Sequence, residues 1–143
     1  MEIDSWQTFA HPEFALRFRF PITTPQGQSI EIRETERAGG RRVHLLTEDR
    51  QAVYFEVTYY AEQAAEQAYQ QLKQEGEQAT ETAEIDDLQP GAFGGLPAFE
   101  FTFKRGDLER AVILVPRQQA LYRLLYNPHS ALNRQILGTV EFL

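Results

Sequence analysis

Three histidines are the residues of this chain best suited to acid–base or metal chemistry, because imidazole changes charge near neutral pH and binds transition metals through nitrogen. They are His11, His44 and His129. Metal and catalytic sites bring two or three such groups together, often at i, i+2 or i, i+4 spacing, and these three are far apart in sequence. We therefore expect all three to be structural or solvent-facing, and we predict no metal site and no catalytic histidine.

The sequence also offers little for covalent catalysis. It contains no Cys, which excludes a thiolate nucleophile, a thiolate zinc site and an iron–sulfur cluster. The serine motifs G-x-S-x-G and S-x-x-K are both missing. Ser130 directly follows His129, but adjacent residues of a helix do not face each other. We predict that the chain has no catalytic residues and is not an enzyme.

Two further segments resemble ligand sites only superficially. The glycine-rich stretch 91–97 lacks the helix that follows a phosphate-binding loop, so we interpret it as a flexible connection into the next strand. The carboxylates of Glu81, Glu84, Asp86 and Asp87 lack the alternating oxygen ligands and central glycine of a calcium loop. We interpret this segment as an acidic connector and predict that the protein binds no cofactor.

The side chains most typical of a binding surface are arginines and tyrosines. Clustered arginines bind carboxylates, phosphates or acidic protein surfaces, although at a hairpin tip they also simply keep the turn soluble. Tyrosine supplies amphipathic area of the kind enriched in protein interfaces. The predicted partner-binding residues are Tyr54, Tyr60, Tyr122, Tyr126, Arg41 and Arg42.

Alternation of apolar and polar residues predicts a series of strands that would carry these side chains. The clearest runs from Phe14 to Phe20, with Arg17 and Arg19 on the opposite face. In the segment 111–115 both faces are apolar, which indicates a central strand covered on both sides. The predicted strands are 14–20, 29–36, 43–46, 52–60, 98–104, 111–115 and 121–126, with a short one at 84–88.

Two stretches change to a helical period. Ala61–Gln78 places small and apolar residues on one stripe, and Leu132, Ile136, Leu137 and Val140 form a second stripe after Pro128. The strands of the last third follow one another with short loops, which favours antiparallel neighbours. We therefore predict a single α+β domain over residues 1–143, with one antiparallel sheet of about six to seven strands flanked by helices on both faces.

Charge and hydropathy limit the possible partners. The net charge is −7, and residues 61–90 alone contain one Lys against eight acidic residues. With no dense basic face, we predict no nucleic-acid binding. We find no signal-peptide pattern at Met1–Trp6 and no apolar run near the roughly 18 residues of a membrane span, so we expect a cytoplasmic protein without membrane insertion.

The order of these elements resembles the PsbP-like α/β/α sandwich. The resemblance rests on an aromatic strand ending in Pro21, a hairpin pair, the helix 61–78, the Gly-Leu-Pro-Ala segment before an aromatic strand, the run Leu121–Tyr126 and a closing helix. This group includes the photosystem accessory protein PsbP, an import factor that binds the Ran GTPase, and DcrB-like proteins. It implies a non-enzymatic domain that binds proteins, and it transfers no individual functional residue.

Two functional hypotheses remain open. The first is an accessory or adaptor domain, as a single chain or a homodimer, that binds a protein partner through aromatic side chains of a sheet or helix surface. The second is a carrier of a small molecule or lipid, with an apolar pocket between sheet and helix. Phe99, Phe101 and Phe103, together with Tyr122 and Tyr126, would line such a pocket.

Overall fold

A computed structural model describes residues 6–37, 40–47, 54–78 and 84–143. The chain forms eleven described strands and two described helices. In order these are β1 (Gln7–His11), β2 (Leu16–Phe20), β3 (Glu31–Arg37), β4 (Gly40–Leu46), β5 (Tyr54–Tyr60), α1 (Ala65–Gln78), β6 (Glu84–Ile85), β7 (Gln89–Phe93), β8 (Leu96–Arg105), β9 (Leu108–Arg117), β10 (Ala120–Tyr126), α2 (Ala131–Leu137) and β11 (Glu141–Phe142).

The larger sheet has the strand order β3-β4-β5-β10-β9-β8-β6, and β7 also pairs with β8. All pairings in it are antiparallel. Every residue of the segment 111–115 is buried, which confirms the prediction of a strand covered on both faces. Short connections explain the order, because β8, β9 and β10 follow one another as hairpins.

A second sheet of three strands, in the order β1-β2-β11, was not predicted. The strand predicted from Phe14 begins only at Leu16, because Ala15 lies in the left-handed region (φ 50°) and its N–H bonds to His11 O across a turn. The prediction of one sheet with six to seven strands was therefore wrong. The partners of β2 come from near both ends of the chain and are short, so local periodicity does not reveal them.

The two faces of the larger sheet support two apolar clusters. The first cluster joins β2 and residues of α2 to inward side chains of β4, β5, β9 and β10. The second joins α1 to the opposite side chains of β5, β8, β9 and β10. The protein is thus mostly antiparallel sheet with two short helices, and a three-stranded sheet supplies much of the packing where the sequence predicted helix alone.

Both helices are shorter than predicted. α1 begins at Ala65 instead of Ala61, and the N–H of Gln63 bonds to Gln119 O in the β9–β10 turn. α2 is capped by Ser130, whose hydroxyl accepts from the Asn133 N–H at 3.2 Å, and it ends at Leu137. Val140 continues the apolar stripe outside the helix and is buried in the first cluster.

The glycine-rich stretch forms the end of β7 and the turn that leads into β8. Gly94 and Gly95 have φ of +61° and +81° and join β7 to β8, with Phe93 opposite Leu96. Two successive positive φ angles match the two-residue hairpin turns that favour glycine. The sequence pattern did not indicate β7 because Pro90 and Gly91 are unfavourable in strands. Among the described strands β7 pairs with β8 alone, and such an edge position accommodates both residues.

The remaining strand boundaries differ by a few residues. β6 covers only Glu84–Ile85 of the predicted 84–88, and β3 runs from Glu31 to Arg37. β4 extends the predicted 43–46 back to Gly40, and β5 covers Tyr54–Tyr60. Ala52 and Val53 of the predicted strand lie outside the described residues.

Candidate functional site

The four tyrosines predicted to bind a partner do not form one surface. Tyr54 and Tyr60 belong to the second cluster, whereas Tyr122 and Tyr126 belong to the first, on the other face of the sheet. Tyr60 and Tyr54 share a face because they are six residues apart on β5, and strand side chains repeat every two residues.

Two of these tyrosines are core residues in this conformation. Tyr122 is 2% exposed, and its hydroxyl donates to the backbone oxygen of Phe14. Tyr60 is buried, and its ring passes so close to Gly40 that a Cβ there would lie 2.7 Å from Tyr60 Cδ1. The side-chain surface of Tyr60 and Tyr122 is therefore buried inside the protein and does not face a partner in this conformation.

Tyr54 and Tyr126 are half-buried. Burial raises the pKa of Tyr126, and the nearby Glu100 carboxylate raises it further while Arg134 lowers it. Burial also raises the pKa of Tyr54, as do the charge of Glu56 and a hydrogen bond to it. These two half-buried tyrosines lie on opposite faces of the sheet.

Arg41 and Arg42 are neighbours on β4 and point to opposite faces of the sheet. Arg41 Nη1 lies 2.6 Å from Glu13 Oε2, which ties β4 to the turn between β1 and β2. Arg42 Nε donates to Thr35 Oγ1 at 3.2 Å, and its Nη1 lies 3.7 Å from Glu56 Oε2. Arg42 thus connects β3 to a buried polar group.

That buried group is a network around Glu56, which the sequence analysis did not select. Arg123 Nη2 donates to Glu56 Oε1 at 2.8 Å, and the two side chains are 6% and 1% exposed. The hydroxyls of Tyr54 and Thr58 each donate to the Glu56 carboxylate at 3.2 Å. A buried carboxylate needs such donors, because its desolvation is otherwise costly. One feature of the sequence could have indicated this network: Arg123 is the one charged residue within the apolar run Leu121–Tyr126.

Next to this network lies a third arginine, Arg110 of β9. It is 7% exposed, and its Cζ is 4.9 Å from the centroid of the Tyr54 ring. Its Nη1 donates to the backbone oxygen of Glu109 at 2.9 Å. Desolvation by burial lowers the pKa of Arg110, and the charge of Tyr54 raises it in part.

The histidines each have separate surroundings. His11 Nε2 lies 3.2 Å from Glu34 Oε1, and its ring stacks on Phe14. The exposed His129 pairs with Glu109, and His44 stands opposite Glu56 in the β4–β5 register. Over the described residues, no three His, Asp or Glu side chains form a group that could hold a metal ion.

Of the acidic segment, Asp86 accepts from the Thr102 hydroxyl, whereas Glu81 lies outside the described residues.

A different surface stands out at the end of the sheet. β3 is the edge strand, paired with β4 alone among the described strands. Residues 31–36 are all exposed. Ile32 is 41% exposed, and the adjoining loop presents Ile22, which is 60% exposed. The loop is held to β3 by the bond from Ile30 N–H to Ile22 O.

Comparison with known proteins identifies the architecture. A scan against models of protein families finds no match, and a search of curated proteins finds none. Among solved structures, the chain is similar to the cyanobacterial PsbP (CyanoP) from Synechocystis sp. PCC 6803, with a TM-score of 0.70 and 10% identity over 100% of this chain and 95% of that one. The protein has a PsbP-like fold.

The PsbP-like fold confirms the resemblance seen in the order of elements. At this level of identity it establishes the architecture, and it assigns no role to any residue of this chain. In the part of the chain that the structure describes, neither helix has the length and apolar character needed to cross a membrane.

Proposed function

We propose that this PsbP-like protein is a non-enzymatic accessory domain that binds a protein partner, and that the partner adds an extended segment to the free edge of β3. The exposed edge strand with two large apolar side chains beside it is the observation that carries the proposal. An extended peptide pairs with such an edge through main-chain hydrogen bonds and gains specificity from alternate side chains.

Several natural features usually block this kind of pairing, and β3 has only some of them. Edge strands are protected by shortness, proline, bulges or inward charges. β3 is seven residues long, contains no proline and keeps its pairing with β4 from Glu31 to Arg37 without interruption. Its charges protect it from apolar strands but leave it open to a complementary one.

The register of β3 on β4 indicates what that strand would look like. Ile32, Glu34 and Glu36 stand opposite Leu45, Val43 and Arg41 and therefore share one face. A partner strand would place an apolar residue beside Ile32 and basic residues beside Glu34 and Glu36, because opposite charges across a strand pair are favourable. The predicted residues Arg41 and Arg42 would support this surface from the next strand.

The resemblance to PsbP-like proteins implies a domain that binds proteins, which is consistent with this proposal. The alternative of an apolar carrier gains no specific support. Phe101 is buried edge-on against Tyr69 of α1, with ring centroids 5.0 Å apart, and Phe99 and Phe103 pack in the same cluster. The cytoplasmic location and the possible homodimer stay predictions.

The test is a site-specific photo-crosslinking experiment in the cells from which the protein comes. A photoreactive phenylalanine analogue would replace Thr35 in one variant and Leu108 in another. Leu108 is 38% exposed at the β8–β9 hairpin and serves as the matched position away from β3. We expect Thr35 to crosslink to one protein through an extended segment with basic residues, and Leu108 not to do so.

A second substitution checks that the crosslink reports docking. Adding Ile32→Arg to the Thr35 variant should abolish the crosslink, whereas adding Leu108→Arg should leave it unchanged. Both changes put the same cation in place of an exposed aliphatic side chain. Equal crosslinking from both positions, or a crosslink that survives Ile32→Arg, would refute docking at β3.

A further inference from the structure

Arg110 is a buried cation without a carboxylate partner among the described residues. The Glu56 carboxylate pairs with Arg123 and Arg42, and Glu109 pairs with His129. Arg110 has one hydrogen bond, to a backbone oxygen, although guanidinium carries five N–H donors. Buried charges in proteins are normally paired, because their desolvation is otherwise uncompensated.

The Tyr54 ring links Arg110 to the Glu56 network, because the Arg110 guanidinium stacks on the ring and the Tyr54 hydroxyl donates to Glu56. The Glu56 carboxylate is already paired with Arg123 and Arg42, and among the described residues no ion pair joins it to Arg110. A carboxylate that reached Arg110 would pair with it in a weakly solvated environment, where charge pairing is stronger than in water.

Two aromatic neighbours of Arg110 are partly exposed. Tyr54, on which the Arg110 guanidinium stacks, is only half-buried. Phe103 stands opposite Arg110 on β8 and is also half-buried, with Ile85 opposite Phe103 on β6. A ligand reaching Arg110 from the surface would thus pass over aromatic and aliphatic side chains.

We propose that Arg110 and Tyr54 form a binding site for a carboxylate attached to an apolar group. The planar guanidinium fork matches a carboxylate in a bidentate geometry. The apolar group would lie on Phe103 and Tyr54. A carboxylate fits better than a dianionic phosphate, because the second charge would have to be desolvated beside these rings. This site is separate from β3, so its success or failure is independent of the proposed docking strand.

The test uses the labelled full chain and two nearly isosteric probes, phenylacetate and phenylacetamide. Nitrogen-15 NMR would follow the side-chain Nε–Hε signal of Arg110, with the Tyr54 ring signals as a second reporter. We expect saturable shifts of both with phenylacetate and none with the neutral amide. Inorganic phosphate should bind about tenfold or more weakly, because it has no apolar group to lie on the rings and its second charge would have to be desolvated.

The variant Arg110→Gln should weaken phenylacetate binding about tenfold or more, and Arg110→Lys should only partly restore it, because an ammonium lacks the planar fork. Arg17→Gln removes an exposed arginine of the smaller sheet, which has the same charge, and should change nothing. Equal binding of the amide, equal binding of phosphate, or an unshifted Arg110 signal in the wild-type protein would each overturn the proposal, whatever the stability of the variants.

Discussion

Arg123 on β10 and Glu56 on β5 form a nearly fully buried ion pair, with Arg123 Nη2 2.8 Å from Glu56 Oε1. The two strands are neighbours in the sheet, although the residues are 67 positions apart in the chain. The pair lies in the middle of the larger sheet and links the hydroxyls of Tyr54 and Thr58 into one network.

Removing one member of this pair should be far worse than removing both. Glu56→Gln leaves Arg123 as an uncompensated buried charge, and we expect a loss of about 3–5 kcal/mol in the free energy of unfolding. The double variant Glu56→Gln/Arg123→Met should recover most of that loss. Urea unfolding of the two variants measures the difference; a double variant as unstable as the single one would show that hydrogen bonds of Arg123, not charge pairing, dominate.

The β7–β8 turn allows backbone strain to be separated from steric overlap. Gly94→Ala and Gly95→Ala both place an alanine in the left-handed region, at a cost of about 1–2 kcal/mol each. Only at Gly94 would the new Cβ meet another side chain, 2.9 Å from Phe142 Cδ2, whereas nothing lies within 4 Å at Gly95. Gly94→Ala should therefore lower the thermal midpoint more. Equal midpoints would mean that Phe142 moves away freely.

Gln118 is a non-glycine residue held at φ 60° in the β9–β10 turn. Gln118→Gly should raise the free energy of unfolding by about 0.5–1 kcal/mol, because glycine adopts this conformation without a Cβ clash. Gln119→Gly is the matched control in the same turn, and it should be neutral or destabilising since its φ is not positive. Chemical denaturation of both variants checks this, and a gain at position 119 alone would contradict it.

Stability should fall at high pH because burial raises the pKa of Tyr54, Tyr122 and Tyr126 above 10.0. Between the unfolded and folded pKa, the folded state binds more protons, so the free energy of unfolding decreases as pH rises. The contribution is complete below pH 10 and is lost as pH passes the folded pKa values. Phenolate absorbance and urea midpoints over this range measure the effect, and Tyr122→Phe should flatten it. A urea midpoint that stays constant above pH 10 would contradict the link between tyrosine ionisation and stability.

At the candidate site, alternation within a strand predicts which side chains of that strand share a face, but not which side chains of two different strands do so. Alternation in β5 predicted that Tyr54 and Tyr60 share a face, and the structure places them there with Glu56 between. The pattern could not show that Tyr122 lies on the opposite face of the sheet, because the relative register of β5 and β10 is set by long-range pairing. The strand pattern also did not single out Arg110, whose side chain is buried beside Tyr54.

The sequence by itself determined the local elements of this protein. Period-two alternation indicated most strands of the larger sheet, the two-faced run 111–115 identified a central strand, and the Ala-rich stripe identified α1. These signals are local, since they depend on which side chains repeat every two or nearly four residues. Their order was also sufficient to show the resemblance to the PsbP-like fold.

Only the tertiary structure decided which elements pair and which charges meet. β2 pairs with β1 and β11 and is not part of the larger sheet. Its apolar side chains pack with residues of α2 against that sheet. Glu56 of β5 meets Arg123 of β10, and Tyr54 of β5 meets Arg110 of β9. The physical reason is that strand pairing satisfies backbone hydrogen bonds between distant segments, and a sequence pattern does not specify the partner of each segment.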